Sequence, residues 1–552
     1  MDPYAIVEFY GEKGMRRFGT EGRLYLEDNY VVPRTEETAD FIERVKQGKY
    51  IVLFAPRQTG KTTFFRLALD ALTTEDLTYF PIQLNFEEYE DYTPTDFYGD
   101  LSEDICEEVE TVFQRRGQVP FKALTQFLQK LQITDHITMR RFFSQLARLL
   151  NGHFGVTQKV VLIIDEFDAI PRDAVKGFLR SLRHIYLSGR TRCPHSVGIV
   201  GIKNIIQLNY DRSISPFNIQ QEFHLPNFTL EQVQELFGQY TDEVGQTFAP
   251  EVITAIHKQT TGQPVLVNRF AQILTEELDI PKTEPIVMEH FTTAHAQLLH
   301  TPNTNIQHLT TNIRRDPRFE SMLMRIMAND DGVPFNLHND IINELATYGV
   351  IKEGSDGMCE ILNPVYVYCI LQAFKPIVNG LEQEYFLEDD DYLTPTGQIE
   401  LAALLDNFRD FIARAGFKIL QVPDTPQESV GRHLLLAYID EFVRRIGGVM
   451  HIEAQTGRGR MDIILTHNRR KYIIETKIWR GMRRYQAGKH QLAAYLKLEG
   501  ATEGYYVVFD HRKEAEPRVE TETLSENLTV RSYVIPVIQE IPSRGTESNS
   551  IG

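Results

Sequence analysis

Val52-Leu53-Phe54-Ala55-Pro56-Arg57-Gln58-Thr59-Gly60-Lys61-Thr62-Thr63 is the stretch that decides the fold. An apolar run ends in a loop where Gly60, Lys61 and Thr62 are adjacent, and a helix-like segment, 64–72, follows. The order is strand, phosphate-binding loop, helix. Backbone N–H groups over Ala55, Arg57, Gln58, Thr59, Gly60 and Thr63, with the helix N-terminus behind them, can cradle phosphates. Lys61 can reach the β- and γ-phosphates and Thr62 can ligate Mg²⁺. One position departs from G-x-x-x-x-G-K-[ST]: Ala55 stands where the first glycine would be, with less freedom at the turn.

A second element completes the first. Val160 to Ile164 is a continuous apolar run, as a strand buried on both faces should be, and it ends in Asp165-Glu166. An acid at that strand tip can hold the magnesium, and the next can polarise a water for attack on the γ-phosphate. The plainer readings are an ordinary turn and a solvated strand end; both elements occurring in order favours a nucleotide site.

At 552 residues the chain is too long for one core, and length alone suggests roughly three to four domains. Residues 1–14 have neither a basic n-region nor an apolar h-region. No apolar run reaches the roughly 20 residues of a membrane span. Cys106, Cys193, Cys359 and Cys369 are scattered without CxxC spacing, which argues against a zinc site or disulfide framework and fits a reducing cytoplasm. A formal charge of −18 opposes nonspecific attraction of the whole molecule to nucleic acid. From 457 to 490, however, Arg458, Arg460, Arg469, Arg470, Lys471, Lys477, Arg480, Arg483, Arg484 and Lys489 face only Asp462 and Glu475. That basic island is the charge pattern of a local polyanion site.

Upstream of the loop, Tyr30-Val31-Val32-Pro33-Arg34 leads into a helix expected over 38–47 and either packs near the base or braces the N-terminus. Strands are expected over 78–84 and 197–202. Helix is expected through 96–150, broken near 117–120 and 133–135, and again over 171–187. Lys203-Asn204 reads mainly as a solvated strand end. Thr229-Leu230-Glu231-Gln232 is a capping box opening the first of three short helices. The third starts at Gln263-Pro264 and carries Arg269. Such helices resemble a lid in which Pro264 lies against the base and Arg269 either reaches phosphate or is an exposed helix charge. Helices over 319–327 and 339–348 and a hairpin at 350–362 outline a winged helix. Its second helix carries Asp340 and Glu344 with no Lys or Arg, so it reads as a protein–protein spacer rather than a DNA reader. The acidic stretch 382–391 reads as a linker.

A second site is expected near the C-terminus. Asp462 opens an apolar run to Leu465, 466–471 reads as a turn, and Tyr472 to Trp479 as a strand. Glu475 and Lys477, two apart, leave the same face, and the turn brings Asp462 beside Glu475. Two carboxylates and an amine there form a hard-oxygen Mg²⁺ site with a cation beside the attacked phosphate. Gln491 and Tyr495 share a face of the next helix. Glu428, or less strongly Glu441, is a third acid. The plainer reading is a solvated cross-strand cluster.

Residues 30 to about 375 resemble the AAA-like ATPases related to STAND signalling ATPases. The likeness rests on 30–34, the loop 55–62, Ile164-Asp165-Glu166, Ser215-Pro216-Phe217-Asn218, Gly262-Gln263-Pro264 and Asn363-Pro364-Val365-Tyr366. Residues from about 401 to 537 resemble the PD-(D/E)XK nuclease fold through Gly459-Arg460-Met461-Asp462, Glu475-Thr476-Lys477 and Gln491 to Tyr495. Met461 stands where that fold's name would put proline. The domain order resembles a bacterial ATPase–nuclease family of defence or mobile-element type, an affiliation no residue here shows.

The fold class expected is α/β: an ATPase core over 1–228, a helical lid over 229–303, a winged-helix domain over 304–376 and an acidic linker over 377–400. A restriction-endonuclease-like domain follows over 401–540, with a disordered tail over 541–552. The function expected is an ATP-regulated, Mg²⁺-dependent nuclease. ATP and Mg²⁺ are its cofactors and nucleic acid, DNA before RNA, its partner; no membrane is involved, and self-association is open. The rival is a nucleotide-switched scaffold whose nuclease fold only binds nucleic acid.

Overall fold

The computed structural model describes residues 15–537 except 21, 23, 55–58, 190–191, 202–219, 301–308, 310, 312, 314–315, 329–332, 374–391, 416–434, 437, 441, 444–445, 455–460, 513–514 and 526–527. The chain forms two compact units. Met1–Gly245, Gly262–Gln272 and Thr347–Gly349 make the first; Gln246–Thr261, Ile273–Ala346 and Val350–Gly552 make the second.

The first unit is built on β1 (Tyr50–Phe54), β2 (Tyr79–Asn85), β3 (Lys159–Asp165), β4 (Ser196–Gly201) and β5 (Gln220–Glu222). They lie in the order β2-β3-β4-β1-β5 and every pairing is parallel. Val160 to Ile164 are all buried, because a central parallel strand is covered on both faces. Phe80, Leu162 and Ile199 pack into one core and Leu53, Ile163 and Val200 into another. With β4 between β1 and β3, the loops leaving those two strands flank one crevice at the carboxyl edge.

Local chemistry sets the helix ends. Pro94–Arg115 opens with the Thr93 side chain accepting from Asp96 N–H and Pro94 in the first turn. His136–Phe154 opens on an Asp135–Thr138 capping box and closes on left-handed Gly155. The helix expected at 38–47 instead spans Thr35–Lys46; Glu36 and Glu37, which complement the dipole, lie in its first turn.

In the second unit, Pro250–Thr260 and Met288–His300 are helical and Ile273–Glu277 is a π-helical turn. Pro317–Ala328 and Asp340–Thr347 precede an antiparallel hairpin, β6 (Ile351–Glu353) with β7 (Cys359–Ile361). Pro364–Ala373 and Leu401–Ala415 are the next helices with described bounds. The six-stranded sheet that follows contains β8 (Val449–Ala454), β9 (Met461–His467), β10 (Arg470–Ile478), β11 (Glu503–Asp510), β12 (Arg518–Ser525) and β13 (Leu528–Pro536), in the order β12-β13-β11-β10-β9-β8. Strands β8, β9 and β10 form an antiparallel meander, and helix Met482–Glu499 carries the chain over to β11, parallel to β10. The turn expected over 466–471 is only Asn468-Arg469, both with positive φ (47° and 63°). A two-residue turn of that hand matches strand twist, so pairing runs right up to His467 and Arg470. Among the described residues no helix is long and apolar enough to cross a membrane.

Candidate functional site

The nucleotide elements meet in the first unit. Ala55, Arg57 and Gln58 lie outside the described residues. Gly60 is left-handed (φ 81°), which glycine adopts without strain, and it caps helix Lys61–Glu75, whose first turn holds no acid. No acid of the helix's own first turn therefore opposes its positive end. Lys61 is buried at the helix start, and Thr59 is buried just before it. Thr62 Oγ1 donates to Asp165 Oδ2 at 2.5 Å, so hydroxyl and carboxylate, both hard oxygen donors, converge.

Beside them Glu166 is left-handed (φ 48°), and its N–H donates to Asp165 Oδ1 at 3.0 Å. The next residue, Phe167, is fully buried and packs on Phe86 and Phe178. An apolar anchor thus holds the strained turn in place. Gly201, at the tip of β4, abuts Asp168: a Cβ there would lie 2.6 Å from Asp168 Oδ1. Lys203-Asn204 and 215–218 lie outside the described residues.

A cleft opens next to the loop. Gly60 and Thr63 form one end, and Val31, Val32, Leu67, Leu236, Pro264 and Asn268 contribute walls. The segment 30–34, through Tyr30 to Arg34, and Pro264 thus share one cleft with the phosphate loop. Arg269 is absent from its lining and donates from Nη1 to Gln272 Oε1 at 2.7 Å.

Arg34 is the residue the sequence reading undervalued. It is left-handed and buried; it donates from Nη1 to Pro226 O at 2.6 Å and from Nη2 to Thr59 O at 3.3 Å. Its guanidinium lies 4.6 Å from the Phe228 ring centroid, and burial lowers its pKa to about 10. Phe228 N–H in turn donates to Gly262 O at 2.8 Å. Arg34 thus ties the phosphate loop to the segment leading into Pro264.

The second constellation lies on the C-terminal sheet. Register pairs Asp462 with Glu475 across β9–β10, and Glu453 with Asp462 across β8–β9. Directly opposed positions share a sheet face, so three acidic positions form one cross-strand row. Glu453 was missed because only the β8–β9 register brings it there. Glu475 is 3% exposed, and Lys477 Nζ stands 3.7 Å from its Oε1. Gln491 is exposed, while Tyr495 is half-buried against the apolar cluster. Glu428 and Glu441 lie outside the described residues, as do Arg458, Arg460 and the stretch 382–391.

The same row continues through Tyr506 and Ser532 to Glu520. Helix Met482–Glu499 closes on it so tightly that a Cβ on Gly488 would lie 2.0 Å from Tyr506 Oη. Tyr485 Oη lies 2.7 Å from Ser532 Oγ. Lys489, with a fully buried side chain, donates to Glu520 at 3.0 Å and Glu522 at 2.6 Å.

Part of the basic island is thus engaged in structural ion pairs. Arg470 pairs with Glu503 at 3.7 Å, Lys471 with Glu499 at 3.1 Å and Arg469 with Glu289 at 3.8 Å. The acids come from outside the 457–490 window and arrive only through folding. Arg483 and Arg484, in the first turn of their helix, are exposed.

Compared with known proteins, residues 20–367 match the family described as AAA-like domain, and 399–513 match a domain of unknown function (DUF8371). No curated protein matches. Among solved structures, a Walker-type ATPase of Pyrococcus abyssi is similar at 16% identity, covering 64% of this chain and 99% of that one, TM-score 0.44. The Aeropyrum pernix ORC1 protein, solved in complex with DNA, is similar at 16% identity, covering 62% and 93%, TM-score 0.31. The Thermotoga maritima RuvB Holliday junction branch migration motor is similar at 13% identity, covering 60% and 90%, TM-score 0.30.

Proposed function

We propose, from the premise that this chain belongs to the AAA-like domain family, that its ATPase controls a Mg²⁺-dependent nuclease site on the C-terminal sheet. The ATPase half follows from the family. Lys61 and the loop hold the phosphates, Thr62 and Asp165 would hold Mg²⁺, and Glu166 polarises the attacking water. The lid carrying Pro264 closes on the base, and the winged-helix-like element serves as a spacer.

One observation carries the cleavage reading: Glu475 opposes Asp462 in register while Lys477 Nζ stands 3.7 Å from Glu475 Oε1. A buried carboxylate next to the buried Ile473 and Ile474 is costly unless it is paired or binds metal. The mixed sheet around it, an antiparallel meander joined by a helical crossover to a parallel strand, supports an α/β domain there. Asp462 and Glu475 would hold Mg²⁺, which when bound supplies an activated water and neutralises charge on the attacked phosphate. Lys477 stabilises the charge that develops on that phosphate. The polyanion is DNA before RNA, met by Arg483 and Arg484.

The test is incubation of the purified chain with plasmid, linear and single-stranded substrates, with and without ATP and Mg²⁺. Metal-dependent cleavage that changes with ATP is expected. ATP turnover without cleavage of any substrate would leave the scaffold reading in its place.

A further inference from the structure

The cleft beside the phosphate loop is mostly apolar, and two of its lining residues carry a buried polar atom without a hydrogen-bond partner: Tyr30 Oη, a hydroxyl that can donate as well as accept, and Asn268 Oδ1, which only accepts. Asn268 lies one turn beyond Pro264 on helix Pro264–Gln272 and is 4% exposed. Its Nδ2 donates to Pro264 O at 3.0 Å. A backbone carbonyl only accepts, so the amide nitrogen must face it, which decides which way the amide points. Oδ1 is left as a buried acceptor with no hydrogen-bond partner, on a residue that lines the cleft.

The polar groups of Val31 and Arg34 nearby are already engaged. Val31 N–H donates to Gln239 Oε1 at 3.3 Å, and Val31 O accepts from Gln239 Nε2 at 2.9 Å. Arg34 is spent on Pro226 and Thr59. A buried acceptor without a donor is costly, and the ligand it calls for is one that brings an N–H into an apolar slot.

We propose that Asn268 selects the nucleobase: its Oδ1 accepts a hydrogen bond from the 6-amino group of adenine. A 6-oxo purine, guanine or hypoxanthine, presents an acceptor there, and two acceptors facing each other in a dry cleft repel. The inference rests on the reading of this cleft as the base pocket of the ATP site. It adds that the choice of base is made by a lid side chain.

Equilibrium binding of ATP, inosine triphosphate and purine riboside triphosphate, the last with hydrogen at position 6, tests this on the full chain. The wild type is expected to bind purine riboside triphosphate about tenfold more weakly than ATP, and inosine triphosphate more weakly still. In Asn268→Leu, ATP should fall to the level of purine riboside triphosphate and the difference between them vanish. Equal affinity of the wild type for all three nucleotides overturns the proposal without recourse to any variant. So does an ATP preference that survives Asn268→Leu unchanged. A separate arm, Leu236→Trp, fills the cleft and should abolish binding of all three. If it binds ATP like the wild type, the base lies elsewhere and the pocket reading itself fails.

Discussion

Glu166 sits in left-handed backbone, a conformation that costs a non-glycine residue about 1–3 kcal/mol, yet the fully buried Phe167 beside it holds the turn. Strain retained next to Asp165 fits a carboxylate aimed at a reacting water. Glu166→Gln is expected to keep ATP bound while slowing hydrolysis by about 100-fold or more; Lys61→Ala should lose both binding and turnover. A phosphate-release assay beside nucleotide binding separates the two, and wild-type turnover in Glu166→Gln would remove that role. Gly262 is constrained by geometry of another kind. Its φ is 66°, and a Cβ would lie 1.9 Å from Phe228 O. Gly262→Ala should lower the melting temperature and weaken ATP binding together, because it displaces the segment that Arg34 ties to the loop. Unchanged melting and affinity would show that the contact relaxes freely.

At the scale of elements, the helix Met482–Glu499 is locked to β12 by Lys489, Glu520 and Glu522. Lys489→Met leaves two glutamates facing a dry methyl group. Removing one partner of a buried pair costs roughly 3–5 kcal/mol; both glutamates are about a third exposed, which places this case at or below the lower end. The lock has a pH signature. Burial opposes the charged form of Glu520, but its bonds to Lys489 and Tyr485 prevail and hold its pKa below the ordinary value. Its contribution is therefore present above the unfolded glutamate pKa and lost as pH falls through the folded one. Lys489 is also opposed by burial, yet Glu522 and Glu520 raise its pKa, so its contribution is lost only on the alkaline side. Urea midpoints of wild type and Lys489→Met should differ at pH 7 and converge below about pH 4; a gap independent of pH would argue against the ion pairs. The same paired cations sharpen the nucleic-acid prediction. Reversing the exposed Arg483 and Arg484 should weaken binding and flatten its salt dependence, whereas reversing Lys471, bonded to Glu499, should do so far less. Filter binding across a salt series compares them.

For the whole molecule the proposal is control: if the ATPase gates cleavage at the C-terminal sheet, one nucleotide state of the first must permit the second. A ligand shifts such an equilibrium only by its differential affinity for the two states. Asp462→Ala and Lys477→Ala should abolish cleavage and leave ATP turnover intact. Lys61→Ala should alter cleavage without touching the sheet. Should Lys61→Ala cut every substrate at the wild-type rate with and without ATP, the two activities are independent and only the gating idea falls.

What could be read from the chain was local or periodic. The loop from Val52 to Thr63, the apolar run ending in Asp165-Glu166, the capping box at Thr229 and the Glu475–Lys477 pair are each written within a few residues. Hydrogen bonding and side-chain period act over that range. Folding alone decided which distant residues meet. The strand order put Thr62 on Asp165, 103 positions apart; the β8–β9 register set Glu453 beside Asp462. Acids from outside the basic island pair with four of its cations, Arg469, Arg470, Lys471 and Lys489. In the sequence nothing marks Asn268 on its short helix, and only the cleft shows its carbonyl buried with nothing to accept from. The reason is that hydrogen bonds and ion pairs act over a few ångströms in space, a distance that sequence separation does not measure.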